Sequence, residues 1–336
     1  MLSLLSYLYG KVIDLRNFAY DRGIFESRSL RARTISIGNI TTGGTGKTPL
    51  TAYVAKLLLD RGEKVCILTR GYGRDDQKQR VLVSDGESIL ETDPKKAGDE
   101  PVELANKLEG RVVIIADADR VTAAEWAKRK FGVTAFVLDD GFQHRRAKRD
   151  VDIVCVDATD PFGAGKMLPA GRLREGISSL ARAAAIVITR AELVAEQALS
   201  DLKSELARIA PEAALFECRS CVTQLTPIAA LAERRELSQG EKAFAFCGVG
   251  NPESFFSLLR SEGFVVAGTH AFADHYTYSQ KDITFITGKA QAHEASVLLT
   301  THKDAVKLRE LELVMPCYII GMDVEVSDSD GFSRLL

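Results

Sequence analysis

Three glycines in four positions, Gly43, Gly44 and Gly46, stand directly before Lys47 and Thr48. That order of residue types is suited to holding a polyphosphate. The backbone N–H groups of Thr41, Thr42, Gly43, Gly44, Thr45 and Gly46 can close around it. The Lys47 ammonium then reaches the β- and γ-phosphates, and the Thr48 hydroxyl can sit on Mg²⁺. Farther along, an apolar run ends in Asp139-Asp140, within AFVLDDGFQH. A carboxylate at the end of a buried strand is what a Walker-B position supplies to a phosphate-bound Mg²⁺. One position departs from the usual G-x-x-x-x-G-K-[ST] spacing, since Thr41 stands where its first glycine would be. A glycine-rich turn without a ligand is the plain alternative. The flanks speak against it, because a strand precedes the loop and a helix follows it, as a phosphate loop requires.

The elements that must position these groups are written in the hydrophobic pattern. TISIGNI before the loop is rich in β-branched residues, and the segment after it places Leu50, Val54, Leu57 and Leu58 at helical spacing. Further buried-strand runs are VCILTR (65–70), VVIIAD (112–117), VDIVCVDA (151–158) and AAIVITR (184–190), with helical stretches such as VELANKL and VTAAEWAKRKFG between them. Strands alternating with helices predict an α/β fold, a P-loop NTPase-type doubly wound, mainly parallel sheet with ligands at the strands' C-terminal ends. Residues 74–96 are polar and read as a loop or hairpin. The Gly- and Pro-rich segment PFGAGKMLPAGRLREG (161–176) carries Lys166, Arg172, Arg174 and Glu175; a long loop in a compact domain is more often functional than idle. After about Arg219 a polar stretch and a short helix, LAERRELSQGE, separate this core from a second series of runs. The expected organisation is therefore a P-loop core over 1–218 with an amphipathic N-terminal helix over about 1–22, a linker over 219–241, and a smaller α/β domain over 242–336. That last domain has three or four strands of its own and no second P-loop.

Composition excludes several classes. With 44 basic against 46 acidic side chains, the net charge of −2 argues against a nucleic-acid partner, which calls for a basic domain. The six cysteines are scattered, mostly in apolar runs, and suit a reducing compartment. Cys218 and Cys221 form a C-x-x-C without the second pair that a zinc site needs. At the N-terminus, Leu2, Leu5, Leu8, Val12, Leu15 and Phe18 recur near helical period, but Lys11, Asp14, Arg16 and Asn17 interrupt any membrane-crossing span. The segment also lacks a signal peptide's basic start and cleavage site. Two readings stay open for it: a helix packed on the domain, or an interfacial helix with its aromatic rings at headgroup level.

Three smaller clusters could add chemistry. Gly98-Asp99-Glu100-Pro101 precedes a helix, where one carboxylate is an ordinary cap but two beside Gly and Pro are less so. Phe272-Ala273-Asp274-His275-Tyr276 sets a histidine among aromatics, and Thr300-Thr301-His302-Lys303-Asp304 is a strand-end cluster whose Lys and Asp could simply cap the next helix.

As a set, GNITTGGTGKTP, RGYG, GDEP, DDGFQH, PFGAGKMLPAGRLRE, GVGNPESFF, FADHY and LLTTHKDAVKL resemble the tetraacyldisaccharide 4′-kinase family, the lipid A 4′-kinases of outer-membrane-bearing bacteria. They run in the family's order from Gly38 to Leu308. The resemblance implies transfer of the γ-phosphate of ATP, with Mg²⁺, to the 4′-hydroxyl of a tetraacylated glucosamine disaccharide 1-phosphate. It also implies a peripheral location on the cytoplasmic face of the inner membrane, with the N-terminal helix on the membrane surface and no protein partner. The family's own loop lacks the first glycine, so Thr41 fits it. By position, Lys47 and Thr48 bind phosphates and Mg²⁺, Asp139 and Asp140 form the Walker-B pair, and Asp99 with His275 fall on the catalytic pair. Glu100, Arg120, Gln143, His144, Arg172 and Glu175 fall on positions lining the active site, and Arg70 heads the RGYG motif as a further substrate candidate. Two departures stand out: His302 replaces the family's usual glutamate, and Tyr276 replaces a frequent second histidine. On this reading Asp99, tuned by His275, is the general base for the sugar hydroxyl, and domain closure completes the site. The competing class is a membrane-cycling partitioning-type P-loop ATPase. Its deviant loop needs a lysine where this chain has Thr42. A GTP-dependent metallochaperone would need a metal-ligand cluster and a guanine motif, and neither is evident in the sequence.

Overall fold

The computed structural model describes residues 2–228, 240–274, 276–308 and 310–336. The chain divides into two compact units, Met1–Arg219 together with Glu325–Leu336, and Ser220–Val324.

In the first unit, β1 (Arg33–Gly38), β2 (Val65–Thr69), β4 (Val113–Ala116), β5 (Ala135–Asp139) and β7 (Ala185–Thr189) are buried along almost their whole length. This explains their unbroken Val/Ile/Leu runs, because strands covered on both faces have no polar side to show. With β3 (Val81–Asp85), β6 (Val151–Asp157) and the start of β8 (Ala214–Pro227), the order is β8-β7-β6-β1-β5-β2-β4-β3. Every neighbour pair is parallel except β3 on β4. The polar 74–96 stretch thus supplies an antiparallel edge strand. Helices α1 (Leu2–Asp21), α2 (Lys47–Asp60), α3 (Pro94–Ala97), α4 (Asp99–Lys107), α5 (Arg120–Phe131) and α6 (Glu196–Ile209) complete the unit's main elements. Two apolar cores form: Leu202 and Leu206 of α6 pack with Val154, Val156, Ile186 and Ile188, while Val121 and Ala124 of α5 pack with Cys66, Leu68, Ile115, Phe136 and Leu138.

The second unit is a parallel array in the order β10-β9-β11-β12, from β9 (Lys242–Cys247), β10 (Val265–Ala271), β11 (Val297–Thr301) and β12 (Cys317–Val326). Its core joins Phe244, Phe246 and Leu298 to Ile283 and Ile286 of a helix over Gln280–Ala292. In the Thr300–Asp304 cluster, Thr301 is the helix cap, Lys303 pairs with Asp274, and Asp304 is fully buried. The Asp304 carboxylate accepts hydrogen bonds from the Tyr278 and Thr301 hydroxyls and the Gly248 N–H.

The division differs from the expected one at two places. Residues 219–227 continue strand β8 rather than beginning a linker, and residues 325–336 belong with the first unit. The reason is apolar: Phe332, in the C-terminal helix Ser329–Leu335, is fully buried against Phe216 and Tyr53. The expected helix LAERRELSQGE lies, over 231–239, outside the described residues.

Helix α1 is attached by polar groups. The Ser6 hydroxyl accepts from the Ala170 N–H, the Tyr9 hydroxyl donates to the Arg174 carbonyl, and Arg16 and Asn17 donate to the two oxygens of Glu175. Glu175 is fully buried and also pairs with Arg182 at 2.7 Å. Leu2, Leu4, Leu5, Tyr7, Leu8, Val12, Leu15 and Phe18 of the same helix are exposed. Removing one partner of a buried ion pair leaves the other charge uncompensated. Glu175→Ala is therefore expected to cost about 3–5 kcal/mol in urea unfolding. Arg16→Ala should cost clearly less, since Arg182 still covers the carboxylate; equal costs would contradict this account.

Candidate active site

The site begins where β1 stops. Asn39 is buried just past the strand, and its amide donates to the Thr45 hydroxyl at 2.7 Å, pinning the glycine loop across its base. Gly43 and Gly46 adopt φ of 109° and 80°, conformations that side chains with a Cβ rarely take, and Gly46 leads straight into α2. Lys47 and Thr48 thereby occupy the first turn of a helix whose N-terminus favours anions.

The neighbouring strand β5 brings the carboxylates. Asp139 lies in register with Ile37 of β1, and the Gly141 N–H donates to the Ile37 carbonyl at 2.9 Å. Gly38 has no space for a Cβ, which would lie 2.5 Å from the Phe142 Cβ, so the two strand exits are in direct contact. Asp139 is buried; its Oδ1 accepts from the Thr51 hydroxyl of α2 at 3.1 Å, and its carbonyl accepts from Arg120 at 2.9 Å. Lys47 Nζ stands 3.6 Å from Asp140 Oδ1, and Arg174 donates to both Asp140 oxygens at 2.9 and 2.7 Å. These surroundings push the two carboxyls apart. Burial, then the adjacent Asp140, raises Asp139 above the ordinary carboxylate range. Burial works against ionisation of Asp140 too, but Lys47 and Arg174 prevail and lower it.

The 161–176 segment is tied to the phosphate loop. Thr41 bridges to Leu173, the Thr42 N–H donates to the Arg172 carbonyl at 2.8 Å, and Arg172 Nε and Nη2 donate to the Thr42 carbonyl at 3.0 and 2.7 Å. Arg172 also pairs with Asp160. The RGYG and GDEP motifs meet as backbones: a Cβ on Gly98 would lie 3.0 Å from Gly71 Cα, and one on Gly71 would lie 2.6 Å from the Ala97 carbonyl oxygen. Gly98, at φ 98° and ψ 155°, turns the chain so that Asp99 and Glu100 open α4, both half-buried. Arg70 is exposed at the end of β2, and buried Arg120 opens α5. Gln143 donates to the Asn39 carbonyl at 2.8 Å. His275 lies outside the described residues.

Glu175 needs a correction. It does not line this site: it is closed off in the Arg16–Asn17–Arg182 cluster, because a fully buried carboxylate must be matched by donors and α1 supplies them. Arg174, one position earlier, is the residue on Asp140. Sequence reasoning noted Arg174 as a loop cation but assigned it nothing, and it missed Asn39, Thr51, Thr189 and Arg190. Thr51 carried a signal, since it lies one helical turn beyond Lys47 and Thr48. Thr189 and Arg190 reach the loop only through tertiary contacts, and Asn39 only through the loop's own turn.

The donor set suits Mg²⁺. Among the described residues no group of three or more His, Cys, Asp or Glu side chains could hold a metal by itself. A hydroxyl, one or two carboxylates and the phosphates of a nucleotide are the hard oxygens this ion accepts. Thr48, Asp139 and Asp140 are the residues that would contribute to holding it.

A parallel sheet with a phosphate loop, an α2 lysine and a strand-end carboxylate pair defines a P-loop nucleoside-triphosphate enzyme. The model of one family, tetraacyldisaccharide-1-P 4′-kinase (LpxK), matches residues 1–336. Proteins named tetraacyldisaccharide 4′-kinase from Halothermothrix orenii and Geobacter metallireducens are 35% and 38% identical, covering 100% and 92% of this chain and 91% and 88% of their own lengths. The crystal structure of LpxK from Aquifex aeolicus in complex with ATP is 31% identical, with a TM-score of 0.75, covering 98% of this chain and 96% of that one. The chain belongs to the tetraacyldisaccharide-1-phosphate 4′-kinase family, and its chemistry is ATP-dependent phosphotransfer in lipid A biosynthesis. The partitioning-type ATPase and metallochaperone readings fall away with that assignment.

His144 gives this site a pH signature. Burial, reinforced by Arg120 and Arg149, pulls its imidazole from 6.5 down to about 4, and its Nε2 is buried without a hydrogen-bond partner. The unfolded chain takes up this proton first, so stability falls as pH drops from 6.5 towards about 4. Urea unfolding across that window should show a smaller fall for His144→Gln than for wild type; parallel curves would refute the assignment.

Proposed function

We propose that this chain transfers the γ-phosphate of ATP to the 4′-hydroxyl of a tetraacyldisaccharide 1-phosphate through groups gathered at the ends of β1, β2, β5 and β6. The observation that carries this reading is the juxtaposition of the phosphate loop and the carboxylate pair, with Lys47 Nζ 3.6 Å from Asp140. The loop from Thr41 to Gly46 holds the donor's phosphates by its N–H groups, and Lys47 neutralises charge on the group transferred. Mg²⁺, when bound, neutralises further phosphate charge beside Thr48, Asp139 and Asp140. Arg70, Glu100, Arg120, Gln143, His144 and Arg172 are the remaining candidates for contacts to the anionic acceptor.

Phosphoryl transfer asks mainly for alignment and charge compensation, but the attacking hydroxyl must lose its proton. Asp99, at the start of α4, is the proposed acceptor of that proton, and His275, assigned on the family motif alone, is the group proposed to tune it. Asp99→Ala should lower kcat by about 10²–10⁴-fold at saturating substrates, with ATP affinity little changed. A loss below about tenfold would remove Asp99 from the role of general base.

The acceptor is a lipid, and α1 is the element proposed to meet the surface that carries it, on the cytoplasmic face of the inner membrane. Its side towards the body is held by Ser6, Tyr9, Arg16 and Asn17, while its leucines, Val12 and Phe18 point outward. Ile13 and Ala19 are buried as well, but the larger apolar side chains stay exposed, which suits an interface with an apolar medium. Among the described residues no helix is long and apolar enough to cross a membrane. Replacing both Leu8 and Leu15 by Glu leaves the polar attachment intact. It should strongly reduce cosedimentation with anionic liposomes and raise KM for vesicle-borne acceptor, with KM for ATP unchanged. Undiminished liposome binding would reject the interfacial role.

A further inference from the structure

A phosphate cradle works only if its N–H groups point inward, which obliges the carbonyls between them to point outward and find donors there. In this loop three carbonyls are claimed by side chains from outside it. Thr42 accepts from Arg172, Gly44 accepts from Arg190 Nη2 at 2.7 Å, and Thr45 accepts from the Thr189 hydroxyl at 3.1 Å. The first of these donors stands in solvent, since the side chains of Arg172 and its partner Asp160 are 47% and 40% exposed. The second is braced from below: the side chains of Arg190 and its partner Asp157 are 11% and 8% exposed, while its bond to Gly44 lies at the surface.

Arg190 is held at both ends. Its Nη1 pairs with Asp157, and the other oxygen of that carboxylate accepts from the Thr159 N–H at 3.0 Å and the Thr159 hydroxyl at 2.7 Å. Asp157 and Thr189 are register partners at the ends of β6 and β7, so the pair is anchored to the sheet. Arg190 itself adopts φ 56° and ψ 32°, the left-handed region that non-glycine residues avoid. The turn takes the chain straight out of β7 beside the loop. Strain of this kind persists where surrounding contacts over-determine it. With Asp157 offsetting its charge, the guanidinium acts on the loop chiefly by direction, through the carbonyl it holds.

We infer that Arg190, braced by Asp157, is a positioning residue that sets the Gly44 carbonyl outward and so holds the phosphate loop ready for ATP. The inference rests on the loop being the nucleotide site. That premise is tested separately by Lys47→Ala, which should abolish MgATP binding.

The test is titration calorimetry with MgATP, followed by steady-state kinetics on the full chain. Arg190→Ala should raise the Kd and KM for MgATP by about 10–100-fold, while KM for the acceptor lipid changes less than about twofold. Arg190→Lys should not restore affinity, because an ammonium cannot span the Asp157 carboxylate and the Gly44 carbonyl in the same fork geometry. Asp157→Asn should weaken MgATP in the same direction, and the double variant should be no worse than Arg190→Ala, since the two act as a unit. If Arg190→Ala does not yield folded protein, Arg190→Met, which keeps an unbranched side chain of similar length but offers Gly44 no donor, carries the same comparison. An MgATP Kd within twofold of wild type, with Lys47→Ala inactive in binding, would overturn the inference. A parallel rise in the KM of both substrates would overturn it as well, because that is what general loosening of the fold produces. Intact MgATP binding in Lys47→Ala would instead overturn the premise.

Discussion

Two carboxylates placed side by side at the end of a buried strand repel each other and are penalised by burial. Everything around Asp139 and Asp140 can be understood as the response to that cost. Lys47 and Thr51 come from α2, Arg120 from the start of α5, and Arg174 from the 161–176 segment. Three separate parts of the chain thus answer the pair. The compensation therefore works only when β1 and β5 are in register and the loops at their ends are closed. The carboxylates proposed to serve the nucleotide also tie the first turn of α2 and the 161–176 segment together.

The same segment links chemistry to surface. Within four residues, Arg172 is tied to the phosphate loop, Arg174 holds Asp140, and Glu175 receives α1. A change in how α1 is seated therefore has a short covalent route to the Walker-B carboxylates. Such coupling is physical only if the segment has two arrangements, and the present contacts describe one of them.

How much of this could be read beforehand follows from how local each signal is. The glycine loop with Lys47 and Thr48 is contiguous, and Asp139-Asp140 ends a run whose burial is plain from its residues, so the parallel sheet and the candidate nucleotide site at its strand ends were legible. The motif order carried the family. Arg174 and Glu175 were not separable, because neighbouring residues in a loop take opposite directions only once the loop has docked. Glu175 was assigned to the substrate although it serves α1. Arg190 bears no mark in the sequence, since the carbonyl it holds lies on a segment far along the chain, and the bond of Asn39 to nearby Thr45 exists only once the loop between them has folded back. The apolar period of α1 was visible, but its polar attachment was not, for want of any rule that gives the buried side of a helix to Arg and Asn. The course of β8 across the boundary between the two units could not be read from its polar residues.

The C-terminal helix that returns to the first unit bears on the nucleotide loop itself. Phe332 packs on Tyr53, and Arg61, which closes α2, donates to the Ser333 hydroxyl and carbonyl. The helix that presents Lys47 is thus braced at its far end by a segment more than 260 positions further along the chain. Residues 220–324 form a separate unit between the two pieces that make this contact. The glycine motif is therefore local in the sequence while the support of its helix is not, and losing the helix Ser329–Leu335 would keep the motif but take away the brace behind it.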